Sequence, residues 1–261
     1  MGFFSAIFNK EERASRALEK NLATAINKRI QPEDRYNALI FLRNLGTPEA
    51  IYGLLRRFTI VADGKGGVVT DEEEREWVSK ALLNFGETAL PQIKKFIFAK
   101  EGPTVSPVHS VSQALELYRI IINSDEKMIE LLKELIEANP PGYERDPLRK
   151  EEILSFLIDW KRGDLAEAII PYIEDTNETI RFMTVEYLLK FAPDDLIREP
   201  LLGLFLPEKD ESLRVKNKIL HAIIEREWSI KNVRSYVESI LNENEHQVFR
   251  GEFIKKKAGS K

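Results

Sequence analysis

Arg35-Tyr-Asn-Ala-Leu-Ile-Phe-Leu-Arg-Asn-Leu45, the break Gly46-Thr-Pro48, and the run from Glu49 to Ile60 decide the fold class. Both runs place apolar residues at the three- and four-residue spacing of an amphipathic helix. Glycine accepts the left-handed geometry that ends a helix, and proline suits the first turn of the next one. Two helices joined through Gly-x-Pro make a helical hairpin. Glu74-Arg-Glu-Trp-Val-Ser-Lys-Ala-Leu-Leu-Asn-Phe85 ends at Gly86 in the same way, and Ala89 to Ala99 follows with Pro91 near its start. Placing Gly46 over Gly86 superimposes Arg35 on Arg75, Leu42 on Leu82 and Leu45 on Phe85, a repeat of 40 residues.

Working outward, the same grammar returns. Val108 to Asn123 is followed by Ser124-Asp125 and Glu126 to Ala138. Beyond the loop Asn139-Pro-Pro-Gly-Tyr143, Leu148 to Trp160 turns at Gly163-Asp164 into Ala166 to Ile173. Glu178 to Phe191 pairs with Asp195 to Leu206 across Ala192-Pro193, and Glu211 to Glu227 pairs with Ile230 to Leu241. Ser, Asp and Asn at these starts can accept hydrogen bonds from the free amides of a first helical turn. A helix from Glu11 to Ile30 precedes the hairpins, with a stripe of Ala14, Ala17, Leu18, Leu22, Ala25 and Ile26. The expected organisation is an N-terminal amphipathic capping helix over residues 1–32, about six helical hairpins over 33–242, and a basic, flexible tail over 243–261.

Composition agrees with an all-α class. Of 261 residues 43% are hydrophobic and 31% charged, enough apolar material to offset the chain entropy of folding. Only 13 glycines are present, so β-hairpins are expected to be few. No cysteine occurs, which removes disulfides, thiolate metal sites and thiol nucleophiles. The net charge is −4, but residues 1–102 are net +2, 103–242 net −8, and the last 19 residues net +2. No apolar run approaches the roughly 20 residues that span a bilayer. Phe3, Phe4, Ile7 and Phe8 could enter a lipid interface or a partner groove, although such a start more often packs on its own first helix. Without an export signal or cysteine, a cytoplasmic location is expected.

Asp175-Thr-Asn-Glu-Thr-Ile180-Arg181, followed by Thr184, Tyr187 and Leu188, resembles the HEAT-repeat signature, in which an acidic turn precedes a Val-Arg pair. Leu213-Arg214 with Glu208, and Leu148-Arg149, echo that pair; Arg35 and Arg75 hold the arginine's place in the first two hairpins. Gly46-Thr-Pro-Glu-Ala50 is similar to the family's usual Gly-Asp-Pro-Glu-Ala connection. The resemblance covers residues 33–242 and implies a right-handed α-solenoid whose hairpins share one continuous core. It further implies that arginines such as Arg181 join adjacent repeats, and that the second helices line a concave face.

Catalytic chemistry finds few parts. His109, His221 and His246 lie far apart, and the His221–Glu225 spacing is that of an ordinary helix-surface ion pair. No cofactor or metal set is expected. Ala62-Asp-Gly-Lys-Gly-Gly67 lacks the strand and the Lys-Ser/Thr of a phosphate loop. Trp77, Trp160 and Trp228 lie in or beside apolar stripes and read as core. Thr70-Asp-Glu-Glu-Glu74 reads as an N-cap followed by acids that suit a helix dipole.

A protein-binding scaffold is therefore expected, with no enzymatic activity. The polar faces of the second helices offer Tyr52, Arg56 and Arg57 in the first hairpin and Lys94, Lys95 and Lys100 in the second. Glu130, Glu134 and Glu137 beside Lys127 and Lys133 follow in the third. The loop at 61–70, with three glycines, is the other candidate contact surface. Two further readings come from helical-repeat proteins that resemble this chain. Some, including a family of DNA glycosylases, grip duplex DNA in a basic groove, which the −8 charge over 103–242 opposes. Others are bilin lyases, a reading supported by the fold alone.

Overall fold

The computed structural model describes residues 2–62, 70–99 and 110–257, with side chains described from residue 11 onward. The chain is predominantly helical and divides into two compact units, residues 1–128 and 129–261.

The first unit begins with α1 (Gly2–Ala25), which packs on α2 (Pro32–Leu45) and α3 (Pro48–Leu55). α1 extends further toward the N-terminus than the apolar stripe suggested and stops earlier, in a turn where Asn27 N donates to Thr24 O. Gly46 ends α2 at φ +61°, its amide donating to Leu42 O at 3.1 Å, and Thr47 caps α3 by accepting from Ala50 N. Gly53 allows α1 to sit close: a Cβ there would fall 2.2 Å from Leu22 Cδ2. α4 (Asp71–Phe85) starts in a capping box, with Thr70 Oγ1 accepting from Glu73 N and Thr70 N donating to Glu73 Oε2. The Thr70 bonds hold the Glu73 carboxyl below its ordinary pKa. α5 (Leu90–Phe98) follows a 3₁₀ turn, and α6 (Ser110–Ile122) packs on both α4 and α5. First helices thus pack on first helices, α2 on α4 on α6, and α3 packs on α5. Leu39, Leu42, Leu54, Phe58, Val78, Leu82, Ile93 and Leu115 fill the space between them.

The division falls within α7 (Asp125–Ala138). In the second unit α8 (Leu148–Trp160), α10 (Glu178–Phe191) and α12 (Leu213–Glu225) form a row of packed helices. Their connections return through α9 (Ala166–Ile169) with the 3₁₀ turn Ile170–Glu174, and through α11 (Asp194–Gly203). Asn177 and Ser212 cap α10 and α12 by accepting backbone amides. At Gly163 a Cβ would meet Phe191 O at 2.1 Å, so this turn requires glycine for close approach.

Two expectations need correction at the C-terminal end. Ile230 to Leu241 is not one helix: only α13 (Arg234–Glu238) is α-helical, flanked by turns. Nor is the tail a free coil from 243 onward. β1 (His246–Phe249) pairs antiparallel with β2 (Phe253–Lys256), and Arg250 and Gly251 supply the positive φ values the tight connection needs. The hairpin is tied down because Ile254, 3% exposed, packs toward α12 and Ile230 N donates to Glu252 O at 2.7 Å. Residues 258–261 lie outside the described residues.

Buried and part-buried side-chain ties recur within each unit. Arg35 Nε donates to both Glu74 oxygens at 3.0 and 2.8 Å, and one repeat further on Arg75 Nη2 donates to Gln113 Oε1 at 2.7 Å. In the second unit Lys150 Nζ donates to Asp175 Oδ2 at 2.7 Å, and Arg181 grips both Asp210 oxygens at 2.9 and 3.0 Å. Arg149 and Arg214, matched to the same signature, behave differently. Lys150 makes the tie beside Arg149, while the Arg214 guanidinium rests 3.8 Å from the Phe182 ring centroid.

Tyr187 is fully buried on α10, its hydroxyl donating to Arg162 O at 2.7 Å. Burial pushes the Tyr187 hydroxyl up to about 12, with the nearby Asp164 charge adding to the shift. A group raised in the folded state stabilises the fold fully below its unfolded value, about 10 for tyrosine, and loses that contribution as pH rises through the folded value. The difference in tyrosinate absorbance between wild type and Tyr187→Phe should therefore appear near pH 12 rather than near pH 10; a difference centred near 10 contradicts this environment.

Candidate functional site

Helix α3 exposes part of Tyr52 because Ile51, Leu54 and Leu55 on its other side are buried. Helix α5 is placed beside it with Ile93, Phe96 and Ile97 buried, which leaves Lys94 half-buried and Lys95 exposed. The two helices bring five side chains together. The Tyr52 and Phe96 rings meet edge to face with centroids 6.1 Å apart, Lys95 Nζ lies 5.0 Å over the Tyr52 ring, and Lys94 Nζ lies 5.7 Å over Phe98. Ammonium groups over aromatic faces gain about 0.5–1 kcal/mol at exposed positions, and the contact restrains the long side chains. Half-buried Arg56 follows directly on the end of α3. The result is a small ridge of positioned cations backed by aromatic rings.

Arg57 does not belong to this surface. Its side chain is 0% exposed, so it cannot serve as the partner contact that the helical wheel suggested. The chain tightens from α-helix to a 3₁₀ turn over Arg56–Thr59, and at three residues per turn Arg57 rotates inward. There Nε donates to Glu74 Oε2 at 2.9 Å, Nη1 to Ile60 O at 3.0 Å, and Nη2 to Glu74 Oε2 at 2.7 Å and Asp71 Oδ1 at 2.5 Å. Asp71 and Glu74 are therefore structural acids, not simply dipole partners. The spacing that could have shown this for Glu74 is its place one turn before Val78 and two before Ala81 and Leu82, on the buried stripe of α4.

Of the other residues named from sequence, Lys100, His109 and the loop from 63 to 69 lie outside the described residues, as do the side chains of Phe3 and Phe4. Lys127, Glu130, Lys133, Glu134 and Glu137 are exposed or nearly so along α7. The aromatic backing from Phe96 and Phe98 was missed because both read as core spacing. Trp77 is half-buried rather than core, flanked by Tyr36 at 5.1 Å and the Arg43 guanidinium at 5.3 Å; Trp228 is buried and donates to Asp194 Oδ2 at 2.8 Å. Among the described residues no group of three His, Asp or Glu side chains could hold a metal ion, and no helix is long and apolar enough to cross a membrane.

No protein-family model matches the chain, and no curated protein matches it.

The two classes of cation should separate by substitution. Arg57→Ala strips a buried carboxylate of one partner and should lower the unfolding free energy by about 3–5 kcal/mol. Lys95→Ala should lower it by about 1 kcal/mol or less. Urea unfolding of both variants measures this, and equal losses would contradict the division into core and surface cations.

Proposed function

We propose that this chain is a non-enzymatic helical-repeat module that binds a partner protein through the ridge formed by Tyr52, Arg56, Lys94 and Lys95. The observation that carries the reading is the placement of Lys95 on the Tyr52 ring and Lys94 on Phe98, beside Arg56. Two lysines held over aromatic rings, with Arg56 beyond the end of α3, complement an acidic, partly apolar stretch of a partner. Complementary charge steers the encounter, and a surface already ordered before contact loses little conformational freedom on binding.

The wider reading is that of a right-handed α-solenoid of HEAT-like hairpins. Its support is the 40-residue offset between Arg35 and Arg75, which reach Glu74 and Gln113, 39 and 38 residues further on, and the acidic-turn pairing of Arg181 with Asp210. In such a module the ridge belongs to second helices, the elements that line the concave face of these repeats.

Immobilised wild-type protein should capture a partner from lysate of its native host, identified by mass spectrometry. The combined variant Tyr52→Ala, Arg56→Glu, Lys94→Glu, Lys95→Glu should lose that capture while its helical melting transition remains. Undiminished capture would remove the ridge from the account. A mobility-shift titration with duplex DNA at low salt separates the nucleic-acid alternative, since phosphate-driven binding appears there first.

A further inference from the structure

A second surface of the first unit lies apart from the residues of that ridge. Where α1 ends, Ala23, Ile26, Asn27, Lys28 and Arg29 face Ile60 and Val61 across a cleft of about 520 Å³. That volume falls within the range of small-molecule sites, and the lining is mostly aliphatic. Val61 is 53% exposed beside the buried Ile60, so its aliphatic side chain lies open to solvent at the cleft. Both basic residues at the rim, Lys28 and Arg29, are exposed, and among the described residues no ion pair engages either side chain.

The two walls are fixed by one buried charge cluster. Arg35 Nη1 donates to Asn27 O at 3.5 Å and Ile30 O at 3.4 Å, holding the turn that carries Lys28 and Arg29. Arg57 Nη1 donates to Ile60 O at 3.0 Å, and Asp71 Oδ1 accepts from Ala62 N at 2.8 Å, holding the backbone on both sides of Val61. Glu74, 1% exposed, joins the two arginines. An apolar cleft between walls that cannot readily close on each other stays open to solvent at the cost of exposed aliphatic surface. A ligand that covers Ile26 and Val61 recovers that cost, and one that places a negative charge at the rim also meets Lys28 and Arg29.

We infer that this cleft binds a small amphipathic anion, an aliphatic or aromatic body bearing one carboxylate or sulfonate. The apolar body lies against Ala23, Ile26, Ile60 and Val61, and the anionic head meets the two cations at the rim. The site is separate from the protein-binding ridge and does not depend on it.

The probe is 1-anilinonaphthalene-8-sulfonate, whose fluorescence rises on entering an apolar site. Titrated into the folded full chain, it should give a saturable enhancement, displaced by dodecanoate and not by dodecanol. Lys28→Glu with Arg29→Glu should weaken the probe at least about tenfold, since two attractions near the surface become repulsions. Ala23→Phe, on the exposed side of α1, should abolish the enhancement by filling the cleft. Circular dichroism melts confirm that each variant is folded, and Lys20→Glu on the same helix serves as the charge control and should leave the titration unchanged. The inference is overturned if wild type gives no saturable enhancement, if the rim or filling variants bind as wild type does, if Lys20→Glu weakens the probe as much as the rim pair, or if dodecanol displaces as well as dodecanoate.

Discussion

Glu74 lies between two buried guanidinium groups, and the first unit is organised around that contact. Arg35 is 3% and Arg57 0% exposed, so neither charge is hydrated, and a lone buried guanidinium would cost several kcal/mol. Glu74 and Asp71 balance the pair charge for charge. The donors left over reach backbone carbonyls of Asn27, Ile30 and Ile60. These carbonyls belong to the turn after α1 and to the extended backbone at Ile60. One cluster thus satisfies the loose ends of three elements and fixes how α1, α2, α3 and α4 meet. A hydrophobic substitute could fill the volume but would leave the Ile30 and Ile60 carbonyls without the donors that Arg35 and Arg57 supply.

The second unit solves the same problem with different residues. Lys150 Nζ, 1% exposed, donates to Asp175 and to Gly142 O, and Asp175 in turn accepts from Gly142 N and Asn177 N. The Pro-rich loop before α8 and the turn before α10 are therefore held by one carboxylate. Tyr172 donates to Asn139 O and Ile136 O, closing the C-terminal carbonyls of α7, and burial pushes its pKa upward. Arg181 then links the turn containing Asp175 and Thr176 to Asp210. The turns at Asp175 and Asp210 each carry an acid whose partner is a cation on a neighbouring helix, Lys150 and Arg181, so these turns become part of the packed structure.

Much of this was legible in sequence, and the failures have particular causes. The rows α2, α4, α8, α10 and α12 follow from apolar periodicity, and Gly46, Thr47, Thr70, Asn177 and Ser212 mark their ends by cap chemistry. Arg35 and Arg75 were singled out because the 40-residue offset superimposes them, and Arg181 because an acidic turn precedes it. Arg57 could not, since its orientation depends on a change from α to 3₁₀ geometry that no local residue preference announces. Lys150 was passed over in favour of its neighbour Arg149 because the signature names arginine, while the buried position only needs a cation. The tail was read from its lysines; the strand-favouring pairs Val248-Phe249 and Phe253-Ile254 on either side of Arg250-Gly251 were the stronger signal. Of the four ridge residues Tyr52, Arg56, Lys94 and Lys95, the spacing predicted exposure, but only the packing of α3 on α5 shows the rings beneath the cations.

The walls of the cleft are held by the buried cluster, so the central claim is that Glu74 couples elements distant in sequence. Native-state hydrogen exchange on Glu74→Gln tests this most directly. Loss of protection should appear together at the amides near Ile30, at Ala62 and in α2 as well as in α4. Loss confined to α4, with the other segments exchanging as in wild type, would contradict it.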